Sequence, residues 1–88
     1  MRSQLLAARA AALFASDLPA GSRPSAEVVE TAITRAVRYN GGTRGCVAAL
    51  AAAYGDYPET ACARMRWARS VVKTTYERSD TAEMALAA

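Results

Sequence analysis

The apolar positions of this chain recur at steps of three and four from near its start to about residue 78, and no stretch alternates with the period of two that a half-buried strand requires. The first helical segment spans Ser3 to Ala15. Leu6, Ala10, Leu13 and Phe14 fall on one face of it, and Arg2, Arg9 and Ser16 on another. Pro19, Gly21 and Pro24 then mark a loop. A second segment opens at Ser25, whose hydroxyl suits an N-cap, with Glu27 in the positive first turn. Its stripe is Val28, Val29, Ala32, Ile33, Ala36 and Val37. Asn40-Gly41-Gly42 ends it, because these residues take left-handed backbone angles at little cost.

Thr43 is placed to cap a third helix, Arg44 to Tyr54, with Val47, Leu50, Ala51 and Tyr54 on its inward face. Gly55 is expected just past its end with a positive φ. Pro58 suits the first position of a fourth helix, which meets no breaker before about Arg78. Ser79 or Asp80 can cap a short fifth helix in an acidic tail, residues 79–88. The expected fold is therefore all-α: one small four-helix domain over residues 1–78, then the tail.

The third and fourth helices have the layout of a helix-turn-helix over about residues 44–78: a scaffold helix, a glycine turn and a basic presenting helix. At 100° per residue, Ala61, Met65, Ala68, Val72 and Tyr76 share the inward face of the fourth helix. Arg66, Arg69 and Lys73 gather on the opposite flank, beside Glu59, Cys62, Ala63 and Ser70. Trp67, Val71 and Arg64 form a third flank. Trp67 either packs against the first helix or, with Val71, presents an interface to a helical protein partner, a setting in which Trp is enriched.

The run Gly55-Asp56-Tyr57-Pro58-Glu59-Thr60-Ala61-Cys62-Ala63-Arg64-Met65-Arg66-Trp67-Ala68-Arg69 resembles the turn and recognition helix of sigma-factor C-terminal regions and of LuxR-type regulators. The resemblance covers Val47–Arg69. In those families a glycine is followed by a threonine five residues on, an arginine nine on and a basic residue near the helix end. Thr60, Arg64 and Arg69 stand at those positions. The resemblance implies a DNA-binding regulator in which Thr60 and Arg64 contact phosphates. The outward face would then reach base edges, with Arg66 on a guanine, Glu59 on a cytosine amino group, and Cys62 and Ala63 beside a thymine methyl. Arg44, Arg69 and Lys73 would add phosphate contacts. The whole chain is also similar to short helical proteins of actinobacteria, a likeness that implies no activity.

Composition adjusts this picture in three ways. The 88 residues carry a net charge of +3, which permits nucleic-acid binding without demanding it. Ten of the 11 cations are Arg, which suits phosphate and guanine contacts but also follows from a GC-rich genome. Ala makes up a quarter of the residues, favouring helix and leaving few large core side chains, so a homodimer or a helical partner is expected to cover part of the apolar surface.

Little here suits catalysis. The chain has no His, and Gly41-Gly42-Thr43-Arg44-Gly45 lacks the lysine of a phosphate loop. Cys46 and Cys62 cannot close a four-ligand zinc site; they are read as reduced thiols, with a disulfide as the alternative. No cofactor, metal or enzymatic role is expected. Arg9 interrupts the apolar start, which argues against a signal peptide, and no run is long enough for a membrane span. The cytoplasm is the expected location.

Overall fold

α1 (Arg2–Phe14) is the helix around which α2 (Ala26–Tyr39), α3 (Thr43–Asp56) and α4 (Pro58–Ala87) pack. The structure, a computed structural model, describes the backbone of residues 2–87 and the side chains of residues 4–77. There is no strand among the described residues. Five consecutive α1 residues, Ala10 to Phe14, are buried. A helix buried all round needs partners on every side. The methyl side chains of Ala10, Ala11 and Ala12 let neighbouring backbones come close. One core cluster joins Leu13 and Phe14 to Ala32, Ala61, Ala68 and Val72, with Leu50, Tyr54, Met65 and Tyr76 packed against it. A second joins Ala11 and Ala12 to Ala36 and Cys46.

α2 is bounded as its sequence predicts. The Ser25 hydroxyl accepts from the Val28 amide at 3.3 Å. At the other end, the Gly42 amide donates to Val37 at 2.7 Å and the Gly41 amide to Arg38 at 3.3 Å. This pair of bonds is the Schellman closure, and it needs the positive φ that Gly41 (76°) supplies. α3 begins at once, so Gly42 rather than Thr43 is its N-cap. Gly45 faces the end of α2 so closely that a Cβ there would collide with the Asn40 carbonyl.

Three sequence expectations are corrected here. Gly55 is not a turn residue: it lies inside α3 and has no positive φ. α3 runs on to Asp56, and Tyr57 alone joins it to α4, donating its amide to Ala53 at 2.7 Å and accepting from the Ala61 amide at 2.9 Å. Pro58 then opens α4 because the amide it lacks would have no helical acceptor. Secondly, the inward face of α3 is Cys46, Leu50, Ala53 and Tyr54, while Val47 and Ala51 are exposed. An alanine-rich helix offers too little contrast between its faces to fix its rotation. Thirdly, no cap at Ser79 or Asp80 starts a fifth helix; the backbone of α4 is continuous to Ala87.

Candidate nucleic-acid interface

α4 turns Ala61, Ala68 and Val72 fully inward, with Met65 and Tyr76 at the edges of that face. The opposite side is thereby left to solvent. Arg66, Arg69 and Lys73 are all exposed there, as is Glu59 two turns before Arg66; Thr60 is exposed as well, but on the flank of Trp67, seven residues on. The three cations follow steps of three and four, which places them within about 60° of circumference and about 10 Å of helix axis. Arg66 also donates weakly to the Cys62 sulfur at 3.8 Å, one turn back.

Arg64 is not part of this stripe. Its Nε donates to the Phe14 carbonyl and its Nη2 to the Ser16 carbonyl, both at 2.8 Å. The guanidinium also sits 5.0 Å from the Trp67 ring centroid and 5.7 Å from that of Phe14. A cation at a helix C-terminus satisfies carbonyls that have no amide partner and complements the helix dipole. Arg64 thus closes the end of α1, and this internal contact replaces the phosphate contact expected of it. Partial burial lowers its pKa from the ordinary value, and the guanidinium stays charged at neutral pH.

Trp67 stands on the same flank. Its indole N–H donates to the Ser22 carbonyl at 2.8 Å, so the ring fastens the α1–α2 loop to α4 and does not merely press on α1. Val71 is half-buried beside it. Together with Ser70, Thr74 and the loop around Arg23 they line an open groove of about 720 Å³.

The remaining candidates lie apart. Arg44 is exposed in the first turn of α3, at the opposite end of that helix from the α3–α4 junction. At the start of α4, the Glu59 and Thr60 amides precede the first helical bond, which the Ala61 amide makes to Tyr57. Asp56 and Glu59 are both exposed at this end and set two carboxylates beside those donors. Cys46 is buried, donates its thiol to the Ala36 carbonyl at 3.6 Å, and is kept protonated by burial, which raises its pKa. Cys62 is exposed, and both cysteines are free. No cluster of three metal-ligating side chains occurs among the described residues. No helix, among the described residues, is long and apolar enough to cross a membrane.

Sequence reasoning missed a further set, Arg9, Tyr76 and Glu30. The Arg9 guanidinium lies 3.6 Å from the Tyr76 ring centroid, and the Tyr76 hydroxyl donates to Glu30 Oε1 at 2.7 Å. These residues come from α1, α4 and α2, and nothing in their spacing announces the contact.

No family model matches the chain, and no curated protein or solved structure is significantly similar to it. What the fold itself defines is a small all-α domain of four helices.

Proposed function

We propose that this chain is a small DNA-binding protein that lays the outward face of α4 on the duplex. The observation that carries the reading is the stripe of Arg66, Arg69 and Lys73, exposed together on the side of α4 opposite the core. Three cations over about 10 Å match the spacing of successive phosphates along a groove edge. Their contacts would position the helix, and Arg66, at the near end of the stripe, would reach a base edge. Arg44 would add a separate phosphate contact from α3. Arg64 has no part in the contact, because α1 uses it. Thr60 and Glu59 would lie at the rim, where the carboxylates of Asp56 and Glu59 weaken attraction to phosphate. In this reading the chain is a regulator or a nucleoid-associated factor.

The experiment is a fluorescence-anisotropy titration of labelled duplex DNA at two salt concentrations. Three neutralised phosphates, at Arg44, Arg69 and Lys73, predict a log–log slope of about −2.7, from about −0.9 per phosphate. No binding at low salt excludes the reading.

One observation favours a second reading, a protein-interaction module. Trp67 and Val71 line the groove of about 720 Å³ between α4 and the α1–α2 loop. A helical partner seated there would not need the charges of Arg66, Arg69 and Lys73. Reversing those charges therefore separates the two readings.

A further inference from the structure

The flank of α2 that turns away from α4 carries an open groove. α4 meets α2 through Tyr76 and Glu30, and Glu30 lies about 160° around the helix from Val28 and about 140° from Arg35. On that far flank, two adjoining cavities of about 620 and 360 Å³ share Asp17, Ala32 and Arg35 and run as one channel along α2. The floor is alanine: Ala15, Ala32 and Ala36. Val28, 44% exposed, stands at one end and Tyr39, 90% exposed, at the other. A shallow alanine-floored channel with apolar ends has the form that receives a helix.

The charges along this groove complement themselves. Glu27 lies at the Val28 end, Arg35 and Arg38 at the Tyr39 end, and Asp17 between them. These two acids and two bases cancel, whereas the whole chain carries +3. A face without net charge can meet its own copy where the rest of the surface repels it. The same residues set the direction. A parallel pair of α2 helices would bring Arg35 and Arg38 against Arg35 and Arg38. An antiparallel pair brings Glu27 of each copy against Arg38 of the other, and Val28 against Tyr39. The members of each pairing are about three helical turns apart and within about 20° of each other around α2, so each pairing keeps to one side of the contact. The midpoints of the two pairings differ by about 1.5 Å along the helix, so a single two-fold axis serves both.

We propose that a second copy of this chain occupies the groove with its own α2, antiparallel and through the same face. Such a contact is isologous: it closes as a two-fold dimer and leaves no free face to propagate. Ala32, near its centre, lets the two backbones approach. The contact also covers Val28 and Tyr39, which the single chain leaves in water.

The test is sedimentation equilibrium of the full chain, without DNA, so its outcome is independent of the DNA-binding reading. The parent should approach twice the 9.3 kDa of one chain as concentration rises. Glu27→Arg alone and Arg38→Glu alone should each raise the dissociation constant about tenfold or more, because each sets like charges together at both ends of the dimer. Mixed in equal amounts, the two variants should pair like the parent, since every Arg at these positions then meets a Glu. The double variant should do the same. A parent that stays at 9.3 kDa at millimolar concentration overturns the proposal, and so does growth beyond two chains. So does a single variant that dimerises like the parent, or a mixture that fails to pair. Circular dichroism of each variant checks the fold. If a reversal unfolds the chain, Tyr39→Ala decides, because a side chain 90% exposed contributes little to the fold of the single chain. That variant must weaken the dimer, and an unchanged dissociation constant overturns the proposal.

Discussion

Arg64 reaches back across 50 positions of sequence to donate from Nε to the Phe14 carbonyl at 2.8 Å. The contact ties the middle of α4 to the end of α1 and takes out of the proposed DNA-facing set a cation that lies only two residues from Arg66. Hydrogen bonds from a charged donor contribute about 1.5–3 kcal/mol each when the partner is left unsatisfied. Arg64→Ala should therefore destabilise the fold by about 2–4 kcal/mol, and Arg64→Lys should recover little, because an ammonium cannot bridge both carbonyls. Urea unfolding measures both. A loss under about 0.5 kcal/mol would show that water serves these carbonyls as well as the guanidinium does.

The two helical glycines of α3 should respond in opposite directions. Gly45→Ala drives a methyl group into the Asn40 backbone carbonyl, which the Schellman closure holds in place, and should cost at least about 2 kcal/mol. Gly55→Ala meets nothing within 4 Å and gains helix propensity, so it should stabilise by about 0.5–1 kcal/mol. Thermal melting of the pair decides. A destabilised Gly55→Ala would restore Gly55 to the role of a turn residue.

Stability should fall at high pH through Tyr76. Burial, first, and then the hydrogen bond and charge of Glu30 raise its pKa from 10.0 to about 12, against the opposing pull of Arg9. The folded protein thus prefers the protonated phenol. The contribution is complete below pH 10, where the unfolded chain also keeps its proton, and is lost as pH climbs toward 12. Tyr76→Phe should remove this part of the pH dependence. The check is urea unfolding of parent and variant at neutral pH and between pH 10 and 12; parallel curves would refute it.

On the proposed DNA surface, Arg44→Ala, Arg69→Ala and Lys73→Ala should each reduce the salt slope by about 0.9. Arg66→Ala should instead cost about 1–3 kcal/mol of preference at one base. Melting temperatures should barely move, because exposed charges contribute little to stability. Arg64→Lys, assayed at a temperature where it is folded, should bind DNA like the parent. If it loses affinity while Arg66→Ala does not, the stripe is assigned to the wrong side of α4.

Much of this architecture is local and was legible in the residues. Ser25 caps α2, Asn40-Gly41-Gly42 closes it, and Pro58 opens α4, because each acts on backbone groups within a few positions of itself. The inward face of α4 was equally plain, since Met65, Val72 and Tyr76 contrast with Arg66, Arg69 and Lys73. The exposed stripe at the candidate site follows from that same contrast. Where the residues are nearly all alanine, as in α3, the pattern has no contrast, and only packing decided that Cys46 and Ala53 turn inward while Val47 and Ala51 face water. The role of Gly55 was also decided by packing: a glycine permits both a left-handed turn and a helix, and α3 extends through it to Asp56. Arg64 is the clearest case. Its position on the helix marks it as a flank residue, but whether a guanidinium meets a phosphate or a carbonyl depends on what stands opposite. Phe14 and Ser16 stand there because α1 ends against α4, a relation between segments 50 residues apart that no local spacing encodes.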